Sequence, residues 1–364
     1  MRRVLQPAVA AGLCCQYLLR HPVHEGAMPD ASQFDLFAVP GDGGHAVAAA
    51  AVTPELVELA LRLPSRLRLG TSSWSFPGWA GIVYAERVTE QLLAREGLAA
   101  YARHPLLRTV GLDRTYYAPI AATEYARYAQ STPPDFRFVV KAHAALTTPA
   151  AQLARRSPVA PGPDRFLDPE YATRAVISPM LEGLGARAGV LLFQFPPLGA
   201  PHVRDAKAFA SRLAEFLGAL PRGPQYAIEV RNREFLVPAY VDALARHGVT
   251  HCYNVHPRMP LVTEQFDMLG EAAWRSGAVV ARWMLHPTQD YEAARDRYFP
   301  FDRIADPDPR NRAALVTLLS KLLGAGHDAY VVANNKAEGS APLSLFALAR
   351  EVDRRLVLGT AAQP

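Results

Sequence analysis

The sequence is poor in cysteine and lysine and has no long unbroken apolar run. Its three cysteines are Cys14, Cys15 and Cys252. Two are neighbours near the start and the third stands alone, which excludes a disulfide framework and a paired metal knuckle. That usage predicts a reducing, cytoplasmic setting. No stretch of about 18 apolar residues occurs, so no membrane span is expected. There is no G-x-G-x-x-G turn, no H-E-x-x-H, no G-x-S-x-G elbow and no Cys–His pair. His247 and His251 have helical spacing, but Gly248 breaks the helix between them. Neither a metal nor a cofactor is therefore expected. Only four of the 39 basic side chains are lysines: Lys141, Lys207, Lys321 and Lys336. The net charge of +5 is modest. It is compatible with nucleic acid or anionic metabolites and requires neither.

Half of the 364 residues are apolar and a fifth are charged, as in a soluble globular protein with a sizeable core. Residues 1–24 carry no acidic side chain and begin Met-Arg-Arg. Pro7, Gln16 and Tyr17 interrupt the apolar part and no small-x-small site follows, so an export signal is not expected. Met28 is an alternative initiator. Residues 1–65 read as an N-terminal extension, partly flexible around Gly41-Asp42-Gly43-Gly44. Thr53-Pro54-Glu55 starts a short helix that ends by Pro64.

From residue 66 onward, β-branched apolar runs alternate with helical-period segments. Strands are expected at 66–73, 108–113, 136–142, 189–195, 225–232, 249–254, 278–285 and 328–334. Helices are expected between them, with a last one at 342–354. Eight such units in about 290 residues predict a parallel sheet closed into a (β/α)₈ TIM barrel. The barrel domain is placed at 66–356 and a C-terminal tail at 357–364.

Active sites of such barrels lie at the C-terminal strand ends. There the chain places one costly polar side chain after another. Strand one ends in Ser72 and Trp74, strand two in Asp113 with Tyr116 beyond, strand three in Lys141 and strand four in Gln194. Strand five carries Glu229 and Arg231, two residues apart and so on one face. Strand six adds Asn254 and His256, strand seven Arg282, Met284 and His286, and strand eight Asn334 and Lys336. Three cations (Lys141, Arg231, Arg282) against two carboxylates (Asp113, Glu229) suit a phosphate or carboxylate ligand. They do not suit a hard divalent metal, which takes several oxygen ligands.

Glu229 is the expected general acid or base. Lys141 is an anion clamp or a Schiff-base nucleophile. The long loops at 74–90, 142–168 and 286–310 mix aromatics with arginines, including Trp79, Arg155, Arg156 and Tyr291. They allow stacking on a sugar or a base, and Trp74 and Trp79 could equally plug the barrel mouth. Three functions follow: an enzyme on a small phosphorylated or carboxylated substrate, a nucleic-acid-binding or -processing protein, and a non-catalytic metabolite binder.

Dispersed motifs carry a resemblance. They are Gly70-Thr71-Ser72-Ser73-Trp74-Ser75-Phe76 with Gly78-Trp79-Ala80-Gly81, and Phe138-Val139-Val140-Lys141-Ala142. Leu192-Phe193-Gln194-Phe195-Pro196-Pro197, Ile228-Glu229-Val230-Arg231, and Asn334-Asn335 with Gly339-Ser340-Ala341 follow in order. Over about residues 66–352 the chain resembles the domain of unknown function 72 family, also called YecE-like. The resemblance implies a TIM barrel and no established activity. The chain departs from the family pattern at strand two, where Gly111 and Asp113 stand in place of a Glu and an Asn. It also departs at strand seven, Arg282-Trp283-Met284-Leu285-His286.

Overall fold

The computed structural model describes residues 46–155, 163–275 and 277–361. Cys14, Cys15, Met28, the glycine run at 41–44 and Arg156 lie outside these residues.

Nine parallel strand segments alternate with helices. They are β1 (Leu67–Thr71), β2 (Leu107–Leu112), β3 (Arg137–Lys141), β4 (Ala188–Gln194), β5 (Gln225–Glu229), β6 (Thr250–His251), β7 (Tyr253–Val255), β8 (Val279–Trp283) and β9 (Ala329–Ala333). Only Cys252 separates β6 from β7, and its N–H donates to the Ile228 carbonyl at 2.8 Å. The two segments are therefore halves of one barrel strand, which the sequence reads as a single run. β6 pairs with β5, β7 with β8, and β9 with β1, so the sheet closes on itself as a (β/α)₈ barrel.

The main helices are α1 (Pro54–Arg62), α2 (Glu90–Tyr101), α3 (Ala122–Gln130), α4 (Ser178–Leu184), α5 (Ala206–Ala219), α6 (Pro238–His247), α7 (Val262–Leu269), α8 (Tyr291–Tyr298), α9 (Pro309–Gly324) and α10 (Ala341–Ala361). Helix α6 stops at Gly248, whose φ of +67° is the left-handed cap that glycine adopts without strain. Helix α10 runs to Ala361, past the expected end at 354. The expected loop at 286–310 contains α8, where Asp290 caps the N–H of Ala293 at 2.8 Å. Its sequence is mostly polar, and Ala294 and Tyr298 are its buried positions. So narrow an apolar face leaves little periodicity to read. Among the described residues, no helix is long and apolar enough to cross a membrane.

Strand parity positions the site. Val139, Leu192, Ala227, Cys252, Val280 and Val332 form a buried cluster inside the barrel. Two residues further along the same strands stand Lys141, Gln194, Glu229, Asn254, Arg282 and Asn334. Side chains at i and i+2 share a face, so an apolar plug underlies a polar layer at the C-terminal end. Each buried Val or Leu of that plug contributes roughly 1.5–3 kcal/mol.

Close approach of β1 and β2 depends on Gly70, where the register shifts. A Cβ there would lie 1.9 Å from the Thr109 carbonyl oxygen. Backbone cannot yield as a flexible side chain can. Gly70→Ala is expected to cost about 3 kcal/mol or more in urea denaturation, above the usual overpacking range of roughly 1–3 kcal/mol. A loss below about 1 kcal/mol would show that the two strands can separate.

Candidate functional site

Glu229 ends β5 and is fully buried between two guanidiniums. Arg231 Nε donates to its Oε1 at 3.0 Å and Arg282 Nη1 to its Oε2 at 2.6 Å. Arg282 Nη2 also reaches Asp113 Oδ1 at 3.4 Å. The Arg282 side chain is 1% exposed, whereas that of Arg231 is 21% exposed and opens to the mouth. Burial pushes the Glu229 carboxyl up, but the charges of Arg282 and Arg231 outweigh it and hold its pKa at about 2. Burial likewise opposes the Arg282 charge, and Glu229 and Asp113 more than offset that, so its pKa is raised.

Lys141 ends β3 and is partly buried. Its Nζ lies 3.7 Å from the centroid of the Tyr116 ring. Burial lowers its pKa to about 7, Asp113 opposes the shift, and Arg282 and Arg231 add to it. The ring face favours the ammonium but restores only part of the hydration that burial removes. The Thr115 hydroxyl contacts both the Leu112 and Lys141 carbonyls, which ties the end of β2 to the end of β3. Its neighbour Tyr116 is thereby held beneath the ammonium.

The remaining expected residues divide into three groups. Gln194 is buried in register beside Glu229. Asn254 is buried and donates to the Val230 carbonyl at 3.2 Å, which holds the turn between Glu229 and Arg231. Asn334 Nδ2 donates to Ser72 Oγ at 2.9 Å, across the seam between β9 and β1. These four belong to the polar layer. His286 lines a cleft that His256 also lines.

Trp74 is not brought into the cluster. Its indole N–H donates to the Leu93 carbonyl of α2 at 3.0 Å, and its ring packs edge-on against Tyr128. A tryptophan whose single donor is satisfied by a helix behind the strand is a packing element. Trp79 is fully buried and donates to Asn335 Oδ1 at 3.2 Å. The first aromatic loop thus packs inward and offers neither of these indoles to a ligand.

His256 and Lys336 belong to the expected strand-end polar set but have no substrate contact assigned to them from sequence. Each lies two residues beyond an expected substrate contact, Asn254 and Asn334 respectively. Burial is the main influence that lowers His256 to about 4, with Arg231 adding to it. Lys336 Nζ sits 4.1 Å from the Tyr291 ring centroid, so a second lysine–tyrosine pair stands at the rim. Among the described residues, no three His, Cys, Asp or Glu side chains gather as a metal-ion site.

A model of the family described as protein of unknown function DUF72 matches residues 68–364. A DUF72 family protein of Thermotoga maritima is structurally similar, with a TM-score of 0.51 and 20% identity over 80% of this chain and 99% of that one. A DUF72 family protein of Enterococcus faecalis has a TM-score of 0.50 and 16% identity, covering 79% of this chain and 95% of that one. At these identities the likeness speaks to fold. No curated protein matches the sequence.

Proposed function

The chain belongs to the DUF72 family, and on the geometry of the barrel mouth we propose that it is an enzyme acting on a small phosphorylated or carboxylated substrate by proton transfer at Lys141. The observation that carries this reading is the β3 lysine itself, held 3.7 Å over Tyr116 and shifted to about 7 by burial and by two arginines. A general base works best when its pKa lies near the working pH. Glu229, held at about 2, is too weak a base for that task. Its part is to fix the two guanidiniums, and the proton-transfer role assigned to it on sequence passes to Lys141.

Arg231 presents the more open guanidinium and anchors the anion through its fork of donors. Lys141, neutral for half the time near pH 7, takes a proton from a carbon or hydroxyl of the bound substrate and returns it. Buried Arg282 keeps Glu229 in place and adds positive potential below the anion.

A thermal-shift screen of wild type and Arg231→Ala tests this reading. The panel holds inorganic phosphate, sugar phosphates, carboxylic acids and short oligonucleotides. A ligand at about 100 times its Kd adds roughly 2.7 kcal/mol of stability. A small anion is expected to stabilise wild type and not the variant. Equal stabilisation of both proteins would remove Arg231 from the site. Stabilisation by oligonucleotides alone, falling steeply with salt, would replace this reading with a nucleic-acid one.

A further inference from the structure

Beside the charged mouth, the turns after β7 and β8 and the start of α9 enclose a cleft of about 360 Å³. That volume falls within the roughly 300–1,000 Å³ of small-molecule sites. The cleft adjoins the mouth, because its lining residues Val255 and His256 directly follow Asn254, which donates to the Val230 carbonyl between Glu229 and Arg231. We propose that this cleft is a second substrate subsite that takes an uncharged polyhydroxylated arm, so that the substrate is a sugar phosphate or sugar acid with its anion at Arg231. The inference rests on the mouth being the anion site.

The hydrogen-bonding groups in the cleft are already oriented. His256 Nδ1 accepts from the Arg258 N–H at 3.2 Å, and His286 Nδ1 accepts from the Thr288 N–H at 3.3 Å. His286 Nδ1 also lies 2.8 Å from the Thr288 hydroxyl, so in both rings Nδ1 is engaged within its own turn. His286 is 8% exposed, so its ring has little access to bulk water. Two imidazole rings held by their own turns therefore line one cavity.

Charge argues against a second anion there. Arg310 lines the cleft, but so do Asp308 and Glu264. Both Asp308 oxygens accept from Asn311, at 3.1 and 2.7 Å. Glu264 Oε2 accepts from the Leu261 N–H at 3.0 Å, and its side chain remains exposed at the rim as an acceptor. Donors and acceptors are thus mixed with no positive surplus. A hydroxyl both donates and accepts and suits such a lining. Val255, Met259 and Leu261 complete the wall with apolar surface, which matches the C–H face of a sugar ring or chain.

Calorimetric titration of four proteins separates the two subsites: wild type, Arg231→Ala, Met259→Trp, which fills the cleft, and His286→Phe, which keeps an aromatic ring and loses the ring nitrogens. The probes are inorganic phosphate, hexyl phosphate and a set of pentose and hexose phosphates and sugar acids. At least one sugar anion is expected to bind wild type about tenfold or more tightly than hexyl phosphate does. Met259→Trp and His286→Phe should each erase that margin and leave inorganic phosphate binding unchanged, whereas Arg231→Ala should weaken every probe. Unchanged phosphate binding in Arg231→Ala would sink the anion site, and the cleft assignment with it. If Arg231→Ala behaves as expected but hexyl phosphate matches every sugar anion, or both cleft variants retain the margin, only the cleft assignment is overturned. Failure of all sugar anions to bind at about 10 mM overturns it as well.

Discussion

Replacing Glu229 by glutamine is expected to destabilise the protein by about 3–5 kcal/mol, the usual cost of removing one partner from a buried ion pair. The neutral amide leaves Arg282 1% exposed and charged, with Asp113 at 3.4 Å as its remaining carboxylate. It also turns an NH₂ toward one of two guanidiniums that have only donors to offer. At roughly 2–4 °C per kcal/mol for a domain of this size class, Tm should fall on the order of 10 °C. Urea denaturation gives the free energy, and a loss below about 1 kcal/mol would mean that solvent reaches Arg282 more easily than its burial indicates.

Acid titration supplies a second readout. The folded-state pKa of Glu229 is lowered to about 2 from 4.5. The unfolded chain therefore binds more protons in that window, and stability falls there as pH falls. The contribution is fully present above about 4.5 and lost as pH drops through about 2. Glu229→Gln should flatten that part of the wild-type curve. The double variant Glu229→Gln, Arg282→Met should recover part of the loss, because a buried ion pair can be replaced by apolar packing while half of one cannot.

Competitive acetylation should show Lys141 titrating near pH 7, far below the roughly 10.4 of an ordinary lysine. At neutral pH about half of Lys141 is then unprotonated, against about one part in 2,500 for an ordinary amine. With four lysines in the chain, peptide mass mapping resolves each one. The same shift has a stability signature. The folded-state pKa is about 7 against 10.5 unfolded, so the unfolded chain binds more protons between those values and stability rises with pH across them. Lys141→Met should remove that rise and stabilise the protein below pH 7. A midpoint above about 9 would return Lys141 to the role of a permanent cationic clamp. An anion bound at Arg231 should push the midpoint upward, because a nearby negative charge favours the ammonium.

Much of this barrel was legible in one dimension. Parallel strands buried on both faces must read as apolar runs, and their period of two decides which residues share a face. That is why the Lys141, Glu229 and Arg282 layer could be read from spacing, whereas the apolar plug two residues below it appears only in the folded barrel. Periodicity records a face and not a partner. The contact of Arg282 with Glu229 spans 53 residues and depends on how the barrel closes. Trp74 shows the same limit: it sits at a strand end, yet the placement of α2 draws its N–H to Leu93 and away from the mouth. Proton affinities lie further still from the sequence. Lys141 and Glu229 carry ordinary side chains, and their shifts in opposite senses come from burial and neighbouring charge, which exist only once the chain has folded. The cleft beside His256 is likewise a product of two turns meeting the start of a helix, each unremarkable alone.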